Sequence, residues 1–429
     1  MSGALSGIKI LEMGLLIQGP QAAALLSDMG ADVIKIELPN IGDQGRYIFL
    51  SPEDMRSAVF TACNRGKKSV TSDLRTSGGT EVFKSLVKSA DVVISNFTPG
   101  TLEEWGLGYD ELQKINAGII CASGSTFGPV GPDAQREGAD LAGQSAGGLV
   151  KTTGRDGDPP SPVGAFIADH IGSLNMVAGI LAALHARNSS GLGQQIEVSL
   201  LGGQIWAQAS EYTHYLMTKK VPGRSNFGHP MIKAAYRIFQ TKDGGRGIIG
   251  VPPDARDAFF LAIERPDLAL DERTQGPNMA PEVLSEFITE LEKSFLEKTT
   301  LEWCEILKNA GVRYAPVRDY AEVVNDEGVR ANGYISDLVN IDGSLNTVVG
   351  SPIKMSRTPL TPGALPPDLG ADTDEILKQE GFDKESIERL RKEGAVKSFH
   401  IQPESPQLPT LFVSPGITLN ISLVFDPRR

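Results

Sequence analysis

An aspartate at the start of a predicted helix is the strongest candidate for chemistry in this sequence. Asp169 lies in the stretch Gly164–Gly172, which is otherwise largely apolar, and a helix of small residues follows. A helix N-terminus carries partial positive charge, which keeps a carboxylate ionised and stabilises an oxyanion formed on it. Small neighbours such as Gly172 leave room for a substrate, so one interpretation is a carboxylate nucleophile. The alternative is structural, because Asp is a preferred N-cap residue that accepts a backbone N–H.

Other kinds of chemistry lack the residues that they need. The histidines form no HxxH or HExxH pattern, so a zinc enzyme is not expected; they are His170, His185, His214, His229 and His400. The three cysteines, Cys63, Cys121 and Cys304, are too widely spaced for a CxxC metal site or a disulfide framework. Neither a Walker lysine loop nor a G-x-S-x-G elbow occurs. We predict no metal and no nucleotide cofactor, and a non-catalytic binding or scaffold protein stays open.

Composition limits the possible partners. The 429 residues, with 40% hydrophobic and 22% charged, are typical of a folded protein of two domains. With 41 basic against 53 acidic residues, the net charge of −12 argues against nucleic acid as a partner. Met1–Gly7 shows no targeting signal, and apolar runs such as Met176–Leu184 are shorter than the roughly 20 residues that span a bilayer. We expect a soluble cytoplasmic protein that binds no membrane, with room for a local basic pocket for one anionic cofactor.

Strands and helices alternate in the N-terminal half. The predicted strands are Ile8–Leu11, Ala31–Glu37, Asp91–Asn96 and Ile119–Ser123. The predicted helices are Gln21–Met29, Gly79–Ser89, Leu107–Asn116 and Ala168–Arg187. This alternation predicts an α/β fold, with a parallel sheet covered by helices on both faces in a Rossmann-like arrangement. No G-x-G-x-x-G follows the first strand, so a dinucleotide site has no support.

Changes in composition divide the chain. We predict a large domain over residues 1–218, a smaller one over 219–330, a return to the large domain over 331–396, and a tail of unknown role over 397–429. Residues 124–165 are predicted to be a long loop that is functional or wraps a partner. The small domain is predicted to contain a strand pair, Tyr236–Phe239 and Gly247–Val251, and helices at Pro281–Glu297 and Thr300–Ala310. A charged helix is predicted over Thr373–Gly394.

An ordered set of motifs resembles the class III CoA-transferases, the CaiB/BaiF family of formyl-CoA transferase, carnitine CoA-transferase and α-methylacyl-CoA racemase. The matches run from Leu5 to Val396 and include Leu5–Glu12, Gly19-Pro20, Gly30–Glu37, Gly42-Asp43 with Arg46, Asn64–Ser69, Ala90–Gly100, Gly106–Tyr109, Phe127–Pro132 and Gly191–Leu200. The resemblance implies a Rossmann-like large domain formed by both chain ends, a smaller inserted α+β domain and two interlocked chains. Some members are heteromers of related subunits, so a homodimer and a heteromer both remain open.

The resemblance also implies a mechanism. Asp169 would attack an acyl-CoA thioester to give a mixed anhydride, and the CoA thiolate would return to give an aspartyl-CoA thioester. An acceptor carboxylate would then receive the CoA through a second anhydride. Helix-start N–H groups would be the donors for the carboxylate oxygens. The substrates would be an acyl-CoA, with succinyl-CoA a common donor in the family, and a free carboxylic acid.

A neighbouring position separates transferase from racemase. Racemases of this family carry a His-Asp pair where this sequence has Ala139 and Asp140. Alanine cannot move a proton, so an acyl-CoA racemase is the weaker alternative, and a non-catalytic CoA-binding subunit is another. Asp140 matches an acidic position close to the nucleophile, and a purely structural carboxylate is the other interpretation.

The family pattern implies coenzyme A contacts. It places them at Gln18, Ser72, Asp73, Leu74, Arg75, Asn96, Phe97, Thr98, Arg136 and Ala139. Arg136 suits a phosphate or pantetheine contact, and a solvated surface arginine is the alternative. Formyl-CoA transferase has its glutamine one residue earlier than Gln18, where Ile17 stands, and its glycine-run loop is replaced by Asn226–Pro230. Both departures suggest an acyl group larger than formate or oxalate; His229 in that loop could meet substrate or be an ordinary loop residue.

Overall fold

The structure is a computed structural model, and it describes residues 3–224, 226, 228–232, 236–251, 253–274, 280–339 and 345–398. The strands are β1 (Lys9–Glu12), β2 (Asp32–Glu37), β3 (Lys67–Thr71), β4 (Val92–Ser95), β5 (Ile120–Ser125), β6 (Gln195–Ser199), β7 (Tyr236–Gln240), β8 (Arg246–Gly250), β9 (Arg313–Pro316), β10 (Ile335–Val339) and β11 (Leu345–Val349).

The helices of the first half of the chain are α1 (Gln18–Asp28), α2 (Ala58–Asn64), α3 (Ser77–Val87), α4 (Thr101–Glu104), α5 (Tyr109–Ile115), α6 (Asp140–Ala146), α7 (Leu149–Thr152), α8 (Ile167–Ser190), α9 (Leu200–Ala207) and α10 (Ala209–Thr218). Those of the second half are α11 (Arg256–Ala262), α12 (Pro266–Leu270), α13 (Pro281–Phe295), α14 (Thr300–Asn309), α15 (Tyr320–Val324), α16 (Glu327–Ala331), α17 (Thr373–Gln379) and α18 (Lys384–Lys392).

A parallel sheet of six strands forms the centre of the fold, in the order β3-β2-β1-β4-β5-β6. The predicted α/β fold with a parallel sheet is confirmed. Strand β1 pairs in parallel with β2 on one side, where Leu11 is opposite Ile34, and with β4 on the other, where Leu11 is opposite Val93. The strand order therefore reverses between β1 and β4. In such sheets the crevice at the carboxyl ends of the strands, at this switch point, is where ligands bind.

Helices cover both faces of this sheet. On one face Phe83 and Leu86 of α3 pack with Leu377 and Leu390 of the C-terminal helices α17 and α18. On the other face Leu26 of α1 joins α8 in a second cluster. The chain therefore returns near its end to pack on the first sheet.

Helix α8 is held in that second cluster by one apolar stripe. Met176, Ile180 and Ala183 recur at three- to four-residue spacing and are buried. By length and composition its 24 residues are long and apolar enough to cross a membrane, although the apolar runs of the sequence predicted no such segment. Its packing against α1, α9, β5 and β6 is that of the core helix of a globular protein.

A separate core surrounds the antiparallel sheet β7-β8-β9. It is rich in aromatic residues, with Phe239 stacked on Phe295 at 4.6 Å between ring centroids, and Trp303 against Phe295 at 4.8 Å. The predicted strand pair and the two helices of this region are present as β7, β8, α13 and α14. The division of the chain at residues 218 and 330 stays a prediction, and residues 399–429 of the predicted tail lie outside the described residues.

Several sequence-based boundaries were wrong. The predicted loop over residues 124–165 contains α6 and α7. The predicted helix over Thr373–Gly394 is two helices, separated at Gly381, which has a positive φ of 89°. Helix α1 begins at Gln18, so Pro20 lies in its first turn, where a missing N–H costs no intrahelical hydrogen bond.

Candidate active site

Asp169 is the third residue of α8, in the first turn of a helix whose N-cap is Phe166. Because α8 leads into β6 of a parallel sheet, its N-terminus lies at the carboxyl edge of the strands. The side chain is half-buried, and among the described residues no group donates a hydrogen bond to its carboxylate. The interpretation of Asp169 as an N-cap is therefore wrong.

Asp140 caps α8 in its place. This buried carboxylate, at the first position of α6, accepts at Oδ1 the N–H of Ala168 at 2.7 Å and the N–H of Asp169 at 3.2 Å. Its other oxygen accepts from Gln144 Nε2 at 2.6 Å. The structure thus brings Asp140 and Asp169 together although 29 residues separate them.

Helix-start N–H groups are consequently not free to stabilise an oxyanion. Those of Ala168 and Asp169 donate to Asp140, that of Ile167 donates to the Ala165 carbonyl at 2.8 Å, and that of His170 to the Phe166 carbonyl at 3.0 Å. The sequence predicted that these groups supply the donors, but two of them are taken by a side chain from another helix and two by backbone carbonyls.

The electrostatic surroundings of Asp169 favour its neutral form. Burial raises the pKa of Asp169 to about 7, and the nearby charge of Asp140 adds to the effect. Burial also lowers the pKa of His170, which Asp140 partly opposes. A poorly solvated carboxylate is a stronger nucleophile than one in water, since acylation removes its charge.

Gln18 lies beneath the first turns of α8. Its side chain fills the space left by two glycines: a Cβ on Gly124 would lie 2.2 Å from Gln18 Oε1, and a Cβ on Gly172 would lie 2.7 Å from Nε2. The Ser173 hydroxyl lies 2.7 Å from the Gln18 carbonyl oxygen and 2.8 Å from that of Asp169. Gln18 is 3% exposed, and its Nε2 has no hydrogen-bond partner among the described residues.

The loop that carries Gln18 is held firmly. Asn96 Oδ1 accepts the N–H of Leu15 at 2.7 Å and its Nδ2 donates to the Leu15 carbonyl at 2.8 Å. Asp43 Oδ1 accepts the N–H of Leu16, which has a positive φ of 64°. A leucine adopts this strained conformation only when its surroundings enforce it, so the loop that leads into Gln18 is fixed by its neighbours.

A buried charged network supports this loop, and sequence reasoning missed it. Lys35 Nζ lies 3.1 Å from Glu12 Oε2 and 2.9 Å from Asp43 Oδ2, and Lys67 Nζ lies 2.8 Å from the same Glu12 oxygen. Burial lowers the pKa of Lys67 to about 8, and Glu12 partly offsets this. The only sequence signal was the charged residues inside otherwise apolar strands.

The predicted coenzyme A segment after β4 borders a small, open cavity of about 50 Å³. Phe97 packs edge-on against Trp105 with 5.5 Å between ring centroids, and both Phe97 and Thr98 line the cavity. The polar atoms of the Asn96 side chain face Leu15 instead. The other lining residues come from the ends of the central strands and nearby loops: Ser95, Pro99, Gly100, Leu102, Glu103, Ser123, Gly124, Ser125, Pro129, Gln195 and Glu197.

The predicted segment Ser72–Arg75 follows the edge strand β3, on the far side of the sheet's switch point from the segment after β4. Ser72 donates to the Gly79 carbonyl, Leu74 is buried in the core, and Arg75 pairs with Asp73 at 2.8 Å. Two strands separate β3 from β4 in the sheet. The structure does not bring these side chains to the nucleophile.

The remaining predicted residues are exposed. Arg136 pairs with Asp133 at 2.9 Å and stacks over the Phe127 ring at 4.0 Å, and Ala139 is the exposed N-cap of α6.

In the loop after α10, His229 Nε2 lies 2.9 Å from Glu211 Oε1, and its Nδ1 accepts the N–H of Met231. Phe227 of the predicted loop lies outside the described residues. Over the described ranges, no three His, Cys, Asp or Glu side chains are grouped as metal ligands.

Comparison with known proteins gives a consistent result. The model of CoA-transferase family III matches residues 5–373. A succinyl-CoA:glutarate CoA-transferase of Mus musculus is 31% identical over 396 residues, which cover 92% of this chain and 90% of the mouse protein. A succinate–glutarate CoA-transferase of Agrobacterium fabrum is 34% identical over 399 residues, which cover 90% and 96% of the two chains.

A solved structure is similar as well. The crystal structure of a CAIB/BAIF family protein from Brucella suis matches with a TM-score of 0.76 and 32% sequence identity. The match covers 89% of this chain and 100% of that chain.

Proposed function

The chain belongs to CoA-transferase family III, and from this membership and the geometry of the site we propose that it moves coenzyme A from succinyl-CoA to a second carboxylic acid through covalent intermediates on Asp169. The two related transferases are named for succinyl-CoA or succinate and for glutarate. Their names support succinyl-CoA as donor and a dicarboxylic acid as acceptor here.

The observation that carries the proposal is the environment of Asp169. It is a half-buried carboxylate with its pKa raised to about 7, at the carboxyl edge of the sheet, without a described donor to its oxygens. A structural carboxylate would normally be paired or hydrogen-bonded. An unpaired, poorly solvated carboxylate is instead suited to attack an electrophile.

The reaction proceeds by acyl exchange. An oxygen of ionised Asp169 attacks the thioester carbonyl carbon, the C–S bond breaks, and CoA thiolate is released. Asp169 and the donor acid are then joined in a mixed anhydride. The thiolate attacks the Asp169 carbonyl of that anhydride, and the donor carboxylate leaves. The acceptor carboxylate attacks the resulting aspartyl thioester, releasing thiolate, which then attacks the acceptor carbonyl and frees Asp169. Charge and atoms balance at each step, and every activated group is a thioester or an anhydride.

Gln18 supplies the donor that the helix start cannot. Gln18 Nε2 lies 2.7 Å from the position that a Cβ on Gly172 would take. Side chains on a helix lean toward the turn N-terminal to their own Cα, so this position faces the turn that carries Asp169. A buried amide without a partner costs about 1–3 kcal/mol. An acyl carbonyl oxygen on Asp169 would remove that cost, so the adduct is bound more tightly than the free carboxylate.

The cavity bordered by Phe97 and Thr98 is the proposed place for part of the coenzyme A chain. It lies at the strand ends β4 and β5, and β5 also carries Gly124 against Gln18.

We further propose a cytoplasmic homodimer. Large apolar side chains of α9, α10 and the segment after them are left exposed in the single chain, among them Trp206 at 75%, Met217 at 79% and Val221 at 70%. A second copy would bury them, as the family's interlocked chains imply.

Intact-protein mass spectrometry tests the proposal. The protein is incubated with a panel of acyl-CoAs, including succinyl-CoA, and adducts are trapped with hydroxylamine and mapped by peptide mass. We expect modification at Asp169 that is missing in Asp169→Asn and present in the exposed-loop control Asp156→Asn. Modification elsewhere, or none with any thioester, would refute the covalent mechanism. Deuterium exchange at the α-carbon without an adduct would favour the racemase.

A further inference from the structure

Gln144, on α6, has a set of contacts that the reaction scheme does not use. Its side chain is 1% exposed. Nε2 donates to Asp140 Oδ2 at 2.6 Å and to the Ala165 carbonyl at 3.2 Å, while Oε1 accepts the N–H of Val163 at 3.0 Å. One amide therefore joins the cap of α8 to the chain segment that leads into α8.

The orientation of this amide is determined by its partners. Turned over, Gln144 would place its NH₂ group against the N–H of Val163 and its oxygen against the Asp140 carboxylate and the Ala165 carbonyl. Every contact would then be repulsive, so a single orientation is possible.

We propose that Gln144 is a positioning residue for the covalent reaction: it holds the Asp140 carboxylate against the start of α8 and thereby fixes the backbone and side chain of Asp169. With Oδ2 of Asp140 taken by Gln144, Oδ1 is directed at the N–H groups of Ala168 and Asp169. By holding Val163 and Ala165 as well, the same amide fixes the approach of the chain to the helix. This inference rests on the proposed function of Asp169.

Asp140 is the charged group through which a change at Gln144 should alter the pKa of Asp169. Titratable side chains on elements packed against α8 are Asp28 on α1, Cys121 on β5, Asp140 on α6 and Glu197 on β6, and α8 itself adds His170, His185 and Arg187. Cys63 on α2 also senses the charge of Asp169. Of these groups, Asp140 is the one whose charge, after burial itself, raises the pKa of Asp169. Without Gln144 the Asp140 carboxylate can turn away, so the pKa of Asp169 falls.

The experiment is a titration of Asp169 by ¹³C NMR in the full-length protein labelled with [4-¹³C]aspartate, with the signal assigned by its loss in Asp169→Asn. We expect a midpoint near 7 in the unmodified protein and a lower midpoint in Gln144→Met. Gln144→Asn, which retracts the amide by one methylene, takes its place if Gln144→Met fails to fold. The matched control is Gln204→Met, another buried glutamine on α9 that is not bonded to Asp140, which should leave the midpoint in place.

A double variant separates positioning from general damage. Because Gln144 acts through Asp140, Asp140→Asn with Gln144→Met should titrate at the same pH as Asp140→Asn alone. In turnover, Gln144→Met should lower kcat about tenfold or more with little change in KM, since the nucleophile is misplaced after substrate has bound. An unchanged midpoint in Gln144→Met, or additive shifts in the double variant, would overturn the inference. Because the NMR titration needs no turnover, it decides the role of Gln144 even if no adduct forms on Asp169.

Discussion

Asp140 Oδ1 lies 3.2 Å from the backbone nitrogen of Asp169, so the carboxylate that caps α8 also places its negative charge beside the Asp169 side chain. The two functions, cap and charge, can be separated by substitution. Asparagine keeps an oxygen for the two helix N–H groups and removes the charge, although its NH₂ group then faces Gln144 Nε2, whereas alanine supplies neither oxygen nor charge.

Asp140→Asn should shift the pH dependence of transfer without unfolding the protein. Removing the neighbouring charge lowers the pKa of Asp169, because that charge is one cause of its elevation. Transfer needs ionised Asp169, so the rate rises with pH through this pKa and the rise should move to lower pH in the variant. Asp140→Ala should show the same shift and, in addition, lose about 1 kcal/mol or more of stability with the cap. Equal pH profiles for Asp140→Asn and the unmodified protein would contradict this account.

Asp169 itself should destabilise the protein at alkaline pH. Its pKa rises from 3.8 when unfolded to about 7 when folded, so the folded chain binds the proton more tightly between these values. Stability contributed by this group is therefore lost as pH rises from about 4 to 7, and stays lost above. Asp169→Asn should be more stable near pH 8 by up to about 4 kcal/mol, and equally stable near pH 4. Urea denaturation across this pH range measures the difference, and a constant difference would refute the buried environment.

Gly172 should be required for the space that Gln18 fills. A Cβ at Gly172 would lie 2.7 Å from Gln18 Nε2, so Gly172→Ala must displace the amide. If that amide stabilises the adduct, acylation of Asp169 should slow about a hundredfold, as for loss of an oxyanion donor. Gly164→Ala is the matched control, because a Cβ there meets no atom within 4 Å. Stopped-flow release of CoA measures both, and equal rates for the two variants would remove Gln18 from the mechanism.

The sequence predicted the features that local pattern encodes. Alternating apolar strands and helices indicated the parallel sheet, and the family resemblance, confirmed by the match over residues 5–373, singled out Asp169. The cap from Asp140 could not be predicted in this way, because a hydrogen bond across 29 residues leaves no periodic signal. Strand β3 was missed because Lys67 and Lys68 open it and Lys67 is buried by partners from other segments.

Loss of the buried Lys67 side chain should destabilise the protein. Lys67 Nζ is bonded to Glu12 at 2.8 Å, to the Pro20 carbonyl at 3.0 Å and to Asn64 at 2.8 Å, with no exposed side-chain surface. Lys67→Met leaves Glu12 buried with one lysine fewer and should cost about 3–5 kcal/mol.

Lys68→Met is the control, because Lys68 pairs with Asp32 at 2.8 Å but both side chains are about half exposed; such pairs contribute about 0–1 kcal/mol. In urea denaturation, the loss of free energy of unfolding should therefore be several-fold larger for Lys67→Met than for Lys68→Met. Because the network supports the loop that carries Gln18, Lys67→Met should also slow acylation under conditions in which it remains folded, while Lys68→Met should not. Similar losses of stability in both variants would show that the network does not hold the loop.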